Sequence, residues 1–207
     1  MRYVRALGGG GEEIAGKSSS DYYSVTAYWA KKLNNPLDET GPDAGSDWGA
    51  NGSIPFPIMR IADLYLLYAE TLNEANPSDA PPAEAYRYID MVRARAGLNG
   101  VVESWRDYSS YPNKPLTKEG FRSIVHQERN IELAMEGQHI WDVRRWKEAD
   151  EAWNVDVKTW NITGETVADF YKLITIDKRI FTRKDYLWPI REYNMSVNKN
   201  LVQNYGW

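Results

Sequence analysis

Apolar residues recur at helical spacing in the middle of this chain and at alternate positions near its two ends. From Pro57 to about Asn76 the sequence PIMRIADLYLLYAETLNEAN sets Ile58, Ile61, Ala62, Tyr65, Tyr68, Ala69 and Leu72 on one face at roughly 100° per residue. Leu64, Leu66 and Leu67 widen that stripe, so the pattern predicts a helix buried on more than one side. A second stripe, Ala85, Tyr86, Ile89, Val92 and Ala96, runs from Pro81 to Gly97. It opens on a proline, whose missing N–H costs nothing in a first turn, and closes on a glycine suited to a C-cap. Two such helices joined by a short linker make an αα-hairpin. A third stretch, Thr117 to Trp146, begins with Thr117 as N-cap and Glu119 in the first turn, and carries Phe121, Ile124, Val125, Ile131 and Met135 on one face. Gly137 breaks it, and a further helix is expected from about His139 to Ala149, completing a second hairpin.

Charges interrupt these apolar faces. Glu128 falls within the stripe of the third helix and Glu132 lies beside it, while Arg93 sits among the apolar residues of the second. A buried charge without a partner is costly, so the misfit carboxylates and the misfit cation are expected to meet. The reading is that Arg93, with Arg95 beside it, pairs with Glu128 or Glu132 across a helix–helix contact, using the bidentate geometry of guanidinium.

Outside the helices the chain is rich in turn residues. Residues 1–56 contain GGGG at 8–11, KSSS at 17–20 and a long polar run at 34–55, with one short strand expected within DYYSVTAYWAKKL. Residues 98–116 read as a polar loop in which Trp105, Tyr108 and Tyr111 stand close together. Residues 151–207 hold alternation in FYKLITI and a compact YLWPI, predicting two short strands or extended segments, with the last residues wrapped back onto the helices. The expected organisation is one mainly α domain: an irregular segment 1–56, a helical core 57–150 and an extended segment 151–207.

A length of 207 residues suits one substantial domain. The formal charge of −4 argues against a sequence-independent nucleic-acid binder. With no cysteine, disulfides, thiolate chemistry and cysteine-ligated metals are excluded. No apolar run of about 18 residues is present, and MRYVRALGGGGEE lacks a signal-peptide core, so the expectation is a soluble chain carrying no export address of its own. Nine tryptophans and fourteen tyrosines stand against four phenylalanines. Such rings join an apolar body to a polar edge and serve both cores and flat ligand faces.

Five blocks of sequence carry a resemblance. RIADLYLLYAETLNEA at 60–75, IDMVRARAGL at 89–98, HQERNIELAMEGQHIWDVRRW at 126–146, LWPI at 187–190 and QNYGW at 203–207 resemble, in order and spacing, the C-terminal half of the SusD/RagB family. TAYWAKKL is similar to a family pattern more loosely, and Arg191 and Tyr205 stand where the family usually has proline. The resemblance implies tetratricopeptide-like helix hairpins with long ordered loops. It also implies a nutrient-capture lipoprotein of the bacterial outer membrane, a lid on a TonB-dependent (SusC-like) transporter that holds glycan or, in some members, peptide. Family members are much longer and start with a signal peptide and a lipidated cysteine, so the chain is expected to be a C-terminal fragment whose partners include the missing N-terminal part. No enzyme activity and no cofactor are implied.

The motifs that match are scaffold, so ligand residues rest on physical reasoning. Sugar rings stack on tryptophan and tyrosine, which selects Trp48, Trp105, Tyr108 and Tyr111, with packing in the core as the competing role. Three rival readings compete with this one: a glycosidase, ranked below a buried ion-pair network; a metal site, set aside because Gly137 is expected to cap one helix and His139 to start the next; and an interaction module. Glu128 and Glu132, one turn apart, have a spacing that a glycosidase pair can use. Glu136 and His139 have Glu-x-x-His spacing, although a di-iron site needs two such motifs and Gly137 interrupts this one. Helix hairpins also serve as plain protein-interaction modules.

Overall fold

The computed structural model describes residues 57–207, Lys32, and the backbone of Tyr3–Val4 and Glu13–Ile14. The last two segments are strands β1 and β2, paired antiparallel with Tyr3 opposite Ile14 and Val4 opposite Glu13. The strand expected within residues 21–33 and the ligand candidate Trp48 lie outside the described residues. The chain is mainly helical and divides into two compact units, residues 56–139 and residues 140–207 with 1–55.

The first unit contains α1 (Ile61–Ala75), α2 (Ala83–Arg95), α3 (Val101–Tyr108), a 3-10 turn at Lys114–Leu116, and α4 (Lys118–Glu132). Helix α1 packs against both α2 and α4. Leu66, Ala69, Ala85, Ile89, Val101, Phe121 and Val125 are fully withdrawn from solvent between these helices. The Tyr86 ring meets Phe121 edge-on at 5.0 Å, and its hydroxyl donates to the Pro115 carbonyl at 2.6 Å, so one side chain serves the core and anchors the 3-10 turn.

Local signals set several helix ends. Gly97 has φ +74°, and the N–H groups of Gly97 and Leu98 donate to the carbonyls of Ala94 and Arg93, a Schellman ending for α2. Thr117 caps α4 by accepting from the Gly120 N–H at 3.1 Å.

Helical phase differs from the sequence reading in two places. Ile58 and Ile61 are 88% and 61% exposed, and the inward stripe of α1 is Ala62, Leu66, Ala69 and Asn73, flanked by the buried Asp63 and Glu70. Counting only apolar residues rotated the face, because acids that find partners can share the inward side. On α4, Ile131 is exposed, and Met135 lies beyond the helix at φ +67°. The inward positions at that level belong to His126 and Arg129. Residues 98–116 also depart from the expected loop by containing α3.

The second unit holds α5 (His139–Arg145), α6 (Ala149–Trp153), β3 (Asp156–Trp160), α7 (Val167–Phe170), β4 (Leu173–Lys178), a 3-10 turn at Arg183–Tyr186, and α8 (Glu192–Val197). Strands β3 and β4 pair antiparallel, with Trp160 opposite Leu173 and a register shift between Val157 and Lys158. Val143, Ala149 and Phe181 form a small core with Trp146, Trp153 and Tyr186. YLWPI forms no strand and follows the extended alternative, with Leu187 in extended backbone. Its Tyr186 closes the 3-10 turn, and the Gln203 amide brackets Ile190, accepting from its N–H at 2.8 Å and donating to its carbonyl at 2.9 Å. Side chains from the terminal segment thus fill the role that a neighbouring strand would have played. Asn204 likewise donates to the Trp188 carbonyl, and the Trp207 indole to the carbonyls of Lys184 and Leu187, so the closing residues fold back on 184–190.

Candidate functional site

Helix α3 exists because a neighbouring helix caps it. No side chain of its own closes its N-terminus; Asp90 on α2 instead accepts from the Val101 N–H at 2.7 Å. A Cβ on Gly100 would come within 2.8 Å of that carboxylate, so glycine leaves room for the cap. Burial holds the Asp90 carboxyl above its ordinary range, against the opposing pull of the Val101 N–H and Arg93. Arg93 ties the same region together by donating to the Asn99 carbonyl and to the Ser104 hydroxyl at 2.9 Å each, while its other terminal nitrogen bonds Glu128 on α4.

Next to Ser104 on this helix stands Trp105, half-buried against the core, and one turn later Tyr108, 81% exposed. Their spacing of three puts both rings on one side of α3. The helix ends at Ser109 in extended backbone, and the Ser109 hydroxyl accepts from the Tyr111 N–H at 3.0 Å, turning Tyr111 back beside them. Ser104, Trp105, Tyr108, Ser109, Ser110 and Tyr111 line an open cavity of about 480 Å³. Lys114 lies with its ammonium 4.9 Å from the Trp105 ring centre. Three of the four residues selected from sequence as ring-stacking candidates therefore share one surface, two of them on a helix where a loop was expected.

Such a surface has two kinds of contact to offer. The rings of Tyr108 and Tyr111 present apolar faces, the Lys114 ammonium lies over the Trp105 ring, and the hydroxyls of Ser109 and Ser110 provide polar contacts beside them. No group of three or more metal-ligating side chains gathers among the described residues.

The carboxylates considered for hydrolysis are engaged with cations. Glu128 pairs with Arg93, whereas Glu132 accepts from Arg95 at 2.7 and 2.8 Å and meets Arg60 at 2.8 Å. Arg60 also grips Glu136 through both carboxylate oxygens at 2.7 and 2.8 Å. These bonds raise the Arg60 pKa, its hydrogen bond to Glu136 first. His139, the other half of the Glu-x-x-His motif, places Nδ1 2.8 Å from the Asn130 amide oxygen. Acids fixed in this way serve as helix-to-helix ties.

Sequence reasoning missed the deepest tie. Arg129 is 2% exposed and meets Asp63 of α1 at 2.8 Å. Arg122 binds Glu74 bidentately at 2.5 and 2.7 Å, and His126 lies 3.8 Å from Glu70. The available signal was the pair of acids Asp63 and Glu70, one on each side of Leu66 within the apolar run of the first helix, with Arg122, His126 and Arg129 spaced along the third.

A sequence profile described as the SusD family matches residues 10–207. A SusD-like protein from Formosa agariphila is 37% identical over 89 residues, 43% of this chain and 15% of its own length. A second SusD-like protein from that organism is 28% identical over 159 residues, 75% of this chain and 26% of its own. Among solved structures, one described as a SusD-like carbohydrate binding protein from Bacteroides fragilis aligns with 29% identity and a TM-score of 0.54, over 70% of this chain and 28% of its own. This chain thus spans 15%, 26% and 28% of the lengths of these three proteins. Among the described residues no helix is long and apolar enough to cross a membrane.

Proposed function

Because this chain belongs to the SusD family, we propose that it captures glycan without cleaving it. The carrying observation is the α3 cavity, where Trp105, Tyr108 and Tyr111 line one surface beside serine hydroxyls. Pyranose rings have apolar faces that stack on such rings, while their hydroxyls take hydrogen bonds at the rim. A solved relative described as carbohydrate binding supports the ligand class. The engagement of Glu128 and Glu132 by arginines supports a binding rather than a hydrolytic role, since a general acid or nucleophile must reach the glycosidic bond. In this reading the chain is part of a longer surface protein of the outer membrane, and a TonB-dependent, SusC-like transporter receives the captured sugar.

The test is affinity electrophoresis and calorimetry of the chain, and of the full-length protein, against a panel of neutral and acidic polysaccharides. Binding of at least one glycan, weakened about tenfold or more by Trp105→Ala with no release of reducing ends, is the expected result. Cleavage of the bound glycan that depends on Glu128 or Glu132 would overturn the non-catalytic reading. Co-purification from outer membranes tests the transporter partnership.

A second reading, a helical protein-interaction module, is favoured by one surface. Leu64, Tyr65, Leu67, Tyr68, Thr71 and Tyr88 line an open groove on α1 and α2, where Tyr88 meets Tyr65 at 5.4 Å and Tyr68 at 4.8 Å. Loss of partner binding on Tyr68→Ala, with glycan binding unchanged, would mark that groove as the protein-facing surface.

A further inference from the structure

Among the described residues of the second unit, several cations lie against aromatic rings. The Arg144 guanidinium carbon lies 5.3 Å from the ring centre of Trp188, 5.7 Å from Phe181 and 5.8 Å from Trp153. In the same unit, Lys147 sits 4.7 Å from the Tyr186 ring, Lys184 4.5 Å from Trp207 and Arg183 5.3 Å from Tyr205. Four carboxylates of this unit hold other partners, although Asp185 also acts electrostatically on Arg144 and Lys184. Asp142 pairs with Arg145, Asp169 with Lys172, Asp185 accepts from the Thr182 hydroxyl and N–H at 2.7 Å, and Asp150 accepts from the Tyr186 hydroxyl at 3.0 Å.

Ring contact alone explains Lys147, Arg183 and Lys184, whose long stems cover apolar surface while the charge stays in water. Arg144 is different. Its Nε is buried and has no hydrogen-bond partner. Guanidinium has five donors, and withdrawing them from water without an acceptor is costly, so an unanswered one marks a place where an acceptor is missing. Trp188, 67% exposed, offers a ring face beside it. A guanidinium whose Nε lacks an acceptor, set beside an exposed indole, fits a ligand that carries an oxyanion on a ring.

We propose that Arg144 and Trp188 form a subsite for an acidic sugar, the guanidinium taking its carboxylate or sulfate ester and the indole stacking on its ring. This rests on the glycan-capture reading for the nature of the ligand, and the anion contact is tested apart from it. Tryptophan fluorescence and calorimetry would follow sodium glucuronate, sodium sulfate, an oligouronate, a sulfated oligosaccharide and its desulfated form, using the wild type, Arg144→Gln, Trp188→Ala and Trp105→Ala.

The expected result is that Arg144→Gln weakens the oligouronate, the sulfated oligosaccharide, or both, by at least about tenfold and leaves the desulfated form unchanged. Trp188→Ala, at an exposed position that does not threaten folding, should weaken the same ligands, and added salt should weaken them further. Comparison of the uronate and sulfate arms decides which oxyanion is read. Equal affinity of Arg144→Gln and wild type for every acidic ligand overturns the subsite while leaving neutral glycan capture intact. Arg144-dependent binding of the small anions with no oligosaccharide bound keeps an anion site but overturns the acidic-sugar proposal, while glycan capture stands or falls on the polysaccharide panel and Trp105→Ala. Arg144-dependent attachment to anionic vesicles in place of sugars overturns the proposal as well.

Discussion

Replacing Arg93 with methionine probes the link between the helical scaffold and the α3 surface. The side chain is 11% exposed, its partner Glu128 15% exposed, and one guanidinium connects α4 to Asn99 and Ser104 at the start of α3. Methionine keeps much of the volume but removes every one of these bonds. Removing one member of a fully buried pair costs about 3–5 kcal/mol, because the remaining charge is left uncompensated. Residual access to water lowers that here to roughly 2–4 kcal/mol. For a domain of this size the shift in Tm is on the order of 5–15 °C. Calorimetry should find that shift in the transition of the 56–139 unit, together with a loosened near-ultraviolet signal from Trp105. Pairing Arg93→Met with Glu128→Met should recover a substantial part of the loss, because the stranded carboxylate is then gone. A melting curve for Arg93→Met that overlays the wild type, or a double variant no better than the single one, would refute the reasoning.

Two further predictions follow from burial and charge. Leu66→Ala, at a position with no solvent exposure, should cost about 2–5 kcal/mol in denaturant unfolding, whereas Ile131→Ala, 64% exposed, should stay within about 0.5 kcal/mol. The hydrogen bond from Arg122 holds the Glu74 carboxyl below its ordinary range, so its contribution to stability is present above that range and is lost as pH falls through the depressed folded value. Acid titration of stability should therefore flatten in Glu74→Gln, and an unchanged acid slope would remove Glu74 from the account.

Signals contained within one helix or turn were legible in the chain. Thr117 announced the start of α4, Gly97 the end of α2, and Arg93 and Glu128 stood out as charges on apolar stripes. Signals divided between helices were harder to read. Asp63 and Arg129 each look like an ordinary solvated charge until α1 and α4 are side by side, when both turn inward. Helix α3 has only the short sequence VVESWRDY, and its cap, Asp90, comes from another helix, so nothing local announced it. The rings of Trp105, Tyr108 and Tyr111 were recognisable as a cluster, but their common surface depends on α3 and on the turn at Ser109. Gln203 replacing a strand partner for Ile190 was equally invisible, since it depends on the chain returning from its end.

The most direct test of the central claim is a heteronuclear NMR titration of the full-length protein with its tightest glycan, following the indole N–H of each tryptophan and the tyrosine rings. Shifts that saturate together at Trp105, Tyr108 and Tyr111, and disappear in Trp105→Ala, are the predicted result. A glycan that binds while those three rings stay unperturbed, with the shifts gathered at Tyr65, Tyr68 and Tyr88 instead, would contradict it.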